Sequence, residues 1–359
     1  MAVAQPDVSV IIGAHEAMPY LIECLSSVEA QTIDPERIEV IAVDDGSTDG
    51  AGEYLEEFAE RAPMHVLVIR QENSGGPSGP RNVGLGKASG RYVFFLDADD
   101  RLGPEALERT DVFSSNIKFT LSAQKRFRGE LLERYGMRFD ESLFSGEDAL
   151  FTMEAYLWAD GVSIVADHTC YHLVGRDDGK HVTKSGGYTL RFDSARALMN
   201  LTAEHVPAGG RRDQLMMRPF PVTLLPQFGP TYLTDSEEVR RHKFELAAPL
   251  MDAHWAEGVA RRLKVHERLR LHLVAEQRPD LLLDVVEFVK AKKQAAALLE
   301  KKGRRVYLAY PHFRDRAAGI PDAVYLAGSH EARAFPGYRE GGVDTFVRRA
   351  VSTARRTRS

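Results

Sequence analysis

The sequence lacks the features that define several protein classes. Its 359 residues include two cysteines, Cys24 and Cys170, which exclude a disulfide scaffold, and no Cys/His spacing indicates structural zinc. No run approaches the ~18 apolar residues of a membrane-spanning helix, and the first residues show no signal-peptide pattern. A basic excess is also missing, because 47 lysines and arginines stand against 52 aspartates and glutamates, a net charge of −5. We therefore expect a soluble, cytoplasmic globular protein that does not bind nucleic acid.

Two common nucleotide-binding motifs are absent as well. Nothing matches the P-loop pattern GxxxxGK(S/T), which excludes a P-loop NTPase. After the first predicted strand the chain has Gly13-Ala14-His15, where a dinucleotide-dependent dehydrogenase carries GxGxxG. The composition, 43% hydrophobic and 28% charged, is that of a folded chain with a sizeable core.

Strand and helix patterns alternate through the first hundred residues. Short β-branched apolar runs predict strands, and segments of helical periodicity between them predict helices. Repeated βαβ units indicate a mostly parallel sheet with helices on both faces, which binds ligands at the carboxyl ends of its strands. The strands are predicted at 8–12, 38–43, 64–69 and 92–96, and the helices at 19–30, 47–62 (capped by residues 47–49) and 80–88.

The pattern changes beyond residue 100. Helices are predicted at 120–134 and 151–159, with a strand at 162–166. Long amphipathic helical patterns, with Pro279 as a breaker, run through 240–299. Two strand-like pieces, RRVYLAYP and AVYLAG, follow Gly303.

These patterns predict three parts of the chain. Residues 1–185 form a catalytic α/β domain, and residues 186–302 form a helical region that packs on it or mediates oligomerisation. Residues 303–359 form a small β-containing segment with a basic tail. The arginines of that tail suit anionic lipid or a polyphosphate polymer, so peripheral association with the inner face of the membrane is compatible with a cytoplasmic protein.

Acidic residues cluster where predicted strands end or in the loops beyond them. Like charges at one edge of a sheet cost stability unless a cation or a positively charged substrate group offsets them. The Asp-x-Asp after the fourth strand suits Mg²⁺ or Mn²⁺, which prefer carboxylate oxygens and leave positions open for diphosphate oxygens. The clusters are Asp44 and Asp45, then Asp97, Asp99 and Asp100, then Glu147 and Asp148.

A glycine-rich loop spans residues 72–82 between the third and fourth strands. Its glycines permit a close approach of the backbone to a ligand, and Arg81 lies in the first turn of the following helix. A flexible surface connection would explain the same composition. The position of the loop at the acidic edge favours contact with a ligand.

Five motifs then occur in a fixed order between residues 8 and 184. They read VSVIIGAHE, VIAVDDGSTDG, NSGGPSGPRNVGL, ASGRYVFFLDADD and FSGEDALFTMEAYL. Together they resemble the family 2 glycosyltransferases of the GT-A fold. Within that family, two of the motifs, the SGGP…PRNVGL loop and the run that begins GEDALFTMEAYL, are similar to those of the wall teichoic acid glycosyltransferases, which add N-acetylglucosamine to poly(ribitol phosphate).

The resemblance implies which residues bind a nucleotide-sugar donor. His15 would stack on uracil, Asp44 would accept a hydrogen bond from the pyrimidine, and Asp97 would bind the ribose and the sugar. Arg81 would hold the base and the loop, and Glu147 would contact the acceptor or the sugar. The remaining donor-binding positions are Gly13, Asn73 and Arg176.

The resemblance also implies a base and a metal site. Asp148 would be the general base, Asp99 would bind Mn²⁺ or Mg²⁺, and His181 would complete the metal shell. The chain departs from the family at Glu16, a charge with no assigned role, and between Leu107 and Phe113, where a helix, a strand and an acceptor-side loop are missing.

We therefore expect an inverting, metal-dependent transfer of N-acetylglucosamine or a related hexose from a UDP-sugar to a cell-wall glycopolymer such as teichoic acid. A capsule, a lipid-linked glycan or a natural product is the alternative acceptor. A nucleotidyltransferase would need a basic glycine-rich loop after the first strand, where HEAMPY stands instead. A non-catalytic glycan- or nucleotide-binding module is the remaining alternative, and the intact acidic clusters argue against it.

Overall fold

A computed structural model describes most of the chain and divides it into two compact units, Met1–Leu201 and Thr202–Ser359. The predicted boundaries at 185 and 302 stay predictions. The strand predicted at 162–166, the segment between Leu107 and Phe113 and the basic tail lie outside the described residues. Those are 5–102, 121–159, 171–172, 187–300 and 304–335.

The first unit is built on a five-stranded sheet of β1 (Val8–Ala14), β2 (Ile38–Asp45), β3 (His65–Gln71), β4 (Tyr92–Asp97) and β6 (Arg126–Arg128). The order of the strands in the sheet is β3-β2-β1-β4-β6. Strands β1 to β4 run parallel, and β6 runs antiparallel to β4. Because β1 pairs with β2 on one side and with β4 on the other, the crevice beyond β1 and β4 is the point where ligands bind in such sheets. A separate short pair joins β5 (Arg101–Leu102) to β7 (Tyr171–His172).

Helices cover both faces of this sheet. Alternate strand residues point to opposite sides, so Val10 packs with the helices of one face and Ile11 with those of the other. Strands β1, β2 and β4 are buried apolar runs, as the sequence predicts, whereas β3 is only half-buried. The first face carries α1 (Tyr20–Glu29) and α2 (Ala51–Arg61), and the second carries α3 (Ser78–Leu85), α4 (Gly129–Arg134) and α5 (Glu147–Trp158).

The helix predicted at 120–134 is wrong over its first half. Residues 126–128 form β6, and the helix begins only at Gly129. Phe127 pairs in register with Val93 of β4, and its ring lies 6.0 Å from that of Phe95 and 5.3 Å from that of Phe151. Burial of this ring against the sheet outweighs the local helical pattern.

The described part of the second unit is mainly helical and includes a β-hairpin. The helices predicted through 299 end at Lys290, because residues 296–300 form a strand. Pro279 separates two helices, as predicted, and begins the second of them, since the first helical position needs no backbone N–H donor. The elements are α6 (Tyr188–His205, which begins in the first unit), α7 (Gly210–Met216), α8 (Glu237–His254), α9 (Glu257–Ala260), α10 (Val265–Ala275), α11 (Pro279–Lys290), β8 (Ala296–Glu300), β9 (Arg305–Ala309) and α12 (Ser329–Ala332).

Of the two strand-like pieces predicted after Gly303, one is a strand. RRVYLAYP supplies β9, whereas AVYLAG forms a 3-10 turn at Asp322–Tyr325 and a single bridge between Tyr307 and Leu326. Val306 and Leu308 of β9 pack with Val265 of α10 in the small core of the hairpin. Within the described ranges, no helix has both the length and the apolar composition that crossing a membrane requires.

Candidate active site

The loops that follow β1 and β2 are joined by Glu16. Its carboxylate accepts hydrogen bonds from the backbone N–H (2.7 Å) and the hydroxyl (2.9 Å) of Thr48, and its own N–H donates to Ser47. Asp49 accepts from the backbone N–H of Met18 (2.8 Å). These contacts give Glu16 a structural role. Asp49 also accepts from the backbone N–H of Ala51 (3.1 Å), so one of the residues predicted to cap α2 contacts its first residue, although the N-cap position itself is Gly50.

Asp45 anchors the glycine-rich loop. This buried carboxylate accepts from the side-chain amide of Gln71 (2.5 Å) and from the backbone N–H (3.0 Å) and hydroxyl (2.9 Å) of Ser74. Three donors satisfy it within the protein. Asp45 therefore holds the loop at the carboxyl edge of the sheet.

His15 and Asn73, both predicted to bind the donor, lie together beside this anchor. The imidazole Nδ1 is 2.9 Å from the carbonyl oxygen of Asp45, and the amide nitrogen of Asn73 is 3.0 Å from the imidazole. Asn73 also accepts from the backbone N–H of Gly75 (2.7 Å), which orients its side chain. The loops after β1 and β3 thus meet at one place, and the donor-binding roles stay predictions.

Asp44 and Gly13 lie on neighbouring strands at the same edge. The Asp44 carboxylate, 2% exposed, accepts from the backbone N–H of Ser47 (3.0 Å) and lies 3.3 Å from the guanidinium of Arg70. Gly13 is opposite Asp97 of β4, and a Cβ there would lie 3.1 Å from the ring of Pro80. Glycine at this position lets α3 begin close to the end of β1.

Arg81 links two of the acidic clusters. One guanidinium nitrogen donates to Asp97 (2.8 Å), another donates to Glu147 (3.0 Å), and the group lies over the ring of Phe139. Burial disfavours its charge, but Asp97 and Glu147 outweigh that penalty and raise the pKa of Arg81. The arginine predicted to hold the base therefore also holds the ends of β4 and α5 together.

Two further side chains reach this cluster from the segment before β6, and the sequence analysis missed both. The side-chain amide of Gln124 donates to the second oxygen of Asp97 (2.6 Å). The ammonium of Lys125 donates to the carbonyl oxygen of Ser122 (2.7 Å) and interacts electrostatically with Asp148. Burial lowers the pKa of Lys125 to about 8, against the pull of Asp148. Neither residue stands in a recognisable motif, so no local signal marks them.

Glu147 and Asp148 open α5 after Gly146, whose φ of 91° lies in the left-handed region that favours glycine. Glu147 is buried, and this burial raises its pKa, as does the neighbouring Asp148, while Arg81 opposes the shift. Asp148 is half-buried at the first turn of the helix, where exposed backbone N–H groups favour a carboxylate. The pair thus combines a buried carboxyl bound to arginine with a more accessible one.

The acidic run after β4 concentrates negative charge at the same edge. Burial, together with Asp97, Asp100 and Asp99, raises the pKa of the Cys24 thiol well above its usual value. Asp100 accepts from the hydroxyl of Tyr171 (2.6 Å), while Asp97 is bound by Arg81 and Gln124.

The donor set at this edge fits one kind of metal site. Within the described part of the chain, no group of three or more His, Cys, Asp or Glu side chains forms a metal cage. Mg²⁺ in nucleotide sites needs no such cage, because one or two carboxylates, substrate phosphates and water supply its ligands. Asp99, predicted to bind the metal, is half-buried just beyond β4, and its role as a metal ligand stays a prediction. Arg176 and His181 lie outside the described residues.

Comparison with known protein families agrees with this geometry. Residues 9–110 match the family described as "Glycosyl transferase family 2", and residues 190–286 match the "Glycosyl transferase TarS linker domain". The first match covers β1 to β5 with the carboxylates of β2 and β4, whereas Glu147 and Asp148 of α5 lie beyond it. The second lies in the helical part of the chain.

Two curated relatives are named as transferases that act on poly(ribitol phosphate). The poly(ribitol-phosphate) beta-glucosyltransferase of Bacillus spizizenii is 34% identical over 212 residues, 49% of this chain and 33% of the relative. The poly(ribitol-phosphate) beta-N-acetylglucosaminyltransferase TarS of Staphylococcus aureus is 32% identical over 213 residues, 49% of this chain and 37% of the relative. The chain spans about a third of the length of these relatives.

A solved structure extends the comparison to nearly the whole chain. The crystal structure of S. aureus TarS 1–349 in complex with UDP-GlcNAc superposes with a TM-score of 0.74 at 25% identity. The match covers 90% of this chain and 99% of that one. These findings confirm the predicted GT-A fold and the resemblance to the poly(ribitol-phosphate) glycosyltransferases.

Proposed function

We propose that this chain, a family 2 glycosyltransferase with the GT-A fold, moves a hexose or N-acetylhexosamine from a UDP-sugar to a hydroxyl of poly(ribitol phosphate). The observation that carries the proposal is the buried Arg81, which holds Asp97 and Glu147 together beside Asp148 at the switch point of the sheet. The UDP-GlcNAc bound to TarS supports the donor class. The names of the curated relatives support the acceptor.

Asp148 is the proposed general base. It takes the proton of the acceptor hydroxyl while the hydroxyl oxygen forms a bond to the anomeric carbon of the sugar and the bond from that carbon to UDP breaks. Glu147 is bound to Arg81 and buried, so the more accessible carboxylate of the pair faces the acceptor. A single displacement inverts the anomeric carbon. The names of the relatives specify β products, and UDP-GlcNAc is an α-linked donor, so inversion agrees with both.

The donor is proposed to lie across the ends of β1, β2 and β4. His15 stacks on uracil, and Asp44, oriented by Arg70 and the N–H of Ser47, accepts from the base. Asp97 and the edge at Gly13 face the ribose and the sugar, and Asn73 sets the position of the His15 ring. Arg176 is proposed to contact the diphosphate.

A divalent cation completes the proposed donor site. Asp99 would hold Mg²⁺ or Mn²⁺, together with His181 and the diphosphate oxygens. When bound, the cation would neutralise negative charge on the departing UDP. The carboxylates at the end of β4 place several negative charges close together, and burial together with their charge raises the pKa of Cys24. A bound cation would offset this negative charge.

The test is UDP release from UDP-GlcNAc and from UDP-glucose, with and without poly(ribitol phosphate). Asp148→Asn is expected to lower kcat by about 10²–10⁴-fold, because a general base contributes that factor, while UDP-sugar affinity stays nearly unchanged. Glu133→Gln, an exposed carboxylate of α4, is the matched control and should leave turnover unchanged.

Three outcomes separate the alternatives. Full turnover in Asp148→Asn would remove Asp148 as the base. Acceptance of a capsular or lipid-linked glycan in place of poly(ribitol phosphate) would correct the acceptor. Tight UDP-sugar binding by the unaltered protein without release of UDP in any mixture would identify a binding module.

A further inference from the structure

The proposed acceptor brings its own negative charge to the base. In a polymer of five-carbon alditols joined end to end by phosphodiesters, no free hydroxyl is more than two carbons from a phosphorylated carbon. A hydroxyl that reaches Asp148 therefore carries a phosphodiester to within a few ångströms of Asp148 and Glu147. Like charges at this distance repel one another, so the acceptor side of the site needs a cation.

Arg81 does not meet this need. Its two guanidinium nitrogens donate to Asp97 and Glu147, and the group is 7% exposed. Its charge is thus balanced by carboxylates of the protein. Because the residue is buried, little of it is open to a phosphodiester.

Lys125, unlike Arg81, makes its hydrogen bonds to neutral acceptors. Its ammonium donates to the carbonyl oxygen of Ser122 (2.7 Å) and lies 3.4 Å from the Ser122 hydroxyl, and both are neutral acceptors. Within the described residues, no carboxylate lies within ion-pair distance of Lys125. A lysine ammonium has three donors, so one donor remains after the two contacts with Ser122.

The fold places this ammonium on the side of α5 that carries the base. The carbonyl oxygen of Ser122 also accepts from the hydroxyl of Thr152 (3.2 Å). Thr152 follows Asp148 by four residues, so both side chains lie on one face of α5, one turn apart. Ser122 therefore binds Lys125 and the Asp148 face of the helix at the same atom.

We propose that Lys125 forms a subsite for the phosphodiester of the acceptor, next to the hydroxyl that Asp148 deprotonates. The inference rests on the proposed function, because it assumes a phosphorylated acceptor at this base. It makes Lys125 a residue that selects the acceptor, separate from the donor site at His15 and Asp44. The lowered pKa of Lys125 supports it, since burial outweighs the pull of Asp148 on this ammonium and a phosphodiester would add further negative charge beside it.

The first experiment compares acceptors that differ in charge. Ribitol 5-phosphate and poly(ribitol phosphate) carry phosphate, whereas ribitol does not. Lys125→Ala is expected to raise the KM of both phosphorylated acceptors about tenfold or more, since the variant loses one charge-assisted contact with the phosphate. The KM of ribitol, the KM of the UDP-sugar and the hydrolysis of UDP-sugar without acceptor should not change. Lys125→Arg should restore most of the loss, and Lys87→Ala, an exposed lysine after α3, should have no effect.

The second experiment does not depend on turnover. Binding of ribitol 5-phosphate to the UDP-loaded protein is measured by calorimetry for the unaltered protein, Lys125→Ala and Lys125→Arg. The proposal expects binding that is lost in the alanine variant and kept in the arginine variant. If the unaltered protein binds ribitol 5-phosphate but transfers no sugar, the proposed function fails while the subsite stands.

Two results would overturn the subsite. One is an equal loss of activity with ribitol and with ribitol 5-phosphate in Lys125→Ala, which would make Lys125 a positioning residue for Asp148. The other is unchanged binding of ribitol 5-phosphate in that variant. Thermal unfolding of each variant shows whether a loss comes from misfolding, and in that case Lys125→Gln, which keeps a donor to Ser122 without the charge, replaces the alanine variant.

Discussion

Arg81 shows why residue identity matters at this site. Its planar guanidinium donates through two different nitrogens to carboxylates of β4 and α5, a geometry that the single ammonium of lysine does not provide. The three charges are mutually dependent, because removing one partner of a buried ion pair leaves the others uncompensated, at a cost of ~3–5 kcal/mol. One residue therefore fixes the distance between the donor-side and base-side carboxylates.

The lowered pKa of Lys125 predicts that acceptor binding depends on pH. The phosphodiester binds the ammonium form, and with a pKa of about 8 the ammonium is mostly present at pH 7 and mostly lost at pH 9. The KM of ribitol 5-phosphate is therefore expected to rise about tenfold between pH 7 and pH 9, measured from initial rates across that range.

The control for this pH profile is Lys125→Arg, whose charge persists throughout, so its acceptor KM should stay flat. The groups that face Lys125 are Ser122 of its own segment and Asp148 of α5. Asp148 is the same in the arginine variant, so the comparison of the two profiles isolates the Lys125 ammonium. A flat profile in the unaltered protein would contradict the assignment of the ammonium to the phosphodiester.

At the scale of elements, α3 connects the glycine-rich loop to the segment before α5. Arg81 of this helix binds Glu147, and the next residue, Asn82, binds the turn at 139–141. The Asn82 amide donates to the carbonyl oxygen of Phe139 and to Glu141, both at 2.9 Å, and accepts from the N–H of Phe139 at 2.7 Å. The helix therefore positions both ends of the segment that leads to Asp148.

Asn82→Ala is expected to destabilise this connection. The change leaves the N–H and the carbonyl oxygen of Phe139 without their partner, and an unsatisfied buried polar group costs ~1–3 kcal/mol. The melting temperature should fall by about 3–9 °C, measured by calorimetry.

Val83→Ala is the matched control, because this neighbour lies on the exposed side of the same helix and its truncation should change stability by less than ~1 kcal/mol. Equal melting temperatures for the unaltered protein and Asn82→Ala would show that water replaces the amide. The connection between α3 and the turn would then contribute little to the stability of the site.

At the scale of the whole molecule, the fold gathers carboxylates from β2, β4 and α5 at one edge. UDP with Mn²⁺ is therefore expected to stabilise the protein, because the nucleotide complex bridges elements that otherwise repel one another. At a hundred times its Kd, UDP should contribute ~2.7 kcal/mol, a rise in melting temperature of about 5–10 °C.

The measurement is thermal unfolding with UDP and Mn²⁺, with UDP and EDTA, and with GDP and Mn²⁺. EDTA should remove most of the shift, because the diphosphate then meets the carboxylates without a cation. GDP should give a smaller shift, since His15 and Asp44 are proposed to select a pyrimidine. An undiminished shift in EDTA would contradict the metal-dependent donor site.

The sequence by itself determined the sheet and the chemistry along its edge. The first four strands are predicted because β-branched runs buried on both faces have few other structures open to them. The family resemblance named Asp97, Asp99, Glu147 and Asp148 because each stands in a short contiguous motif. The comparisons confirm the fold and the resemblance to this family, while the roles of these residues stay proposals.

Only the tertiary structure decided which residues meet across long stretches of sequence. Glu16 binds Thr48, Gln124 binds Asp97 and Arg81 binds Glu147, contacts that span 32, 27 and 66 residues. Local patterns carry no record of such pairs, and for the same reason β6 was mistaken for a helix. Periodicity reports which face of an element is buried, whereas the partner of each polar group depends on how distant segments pack together.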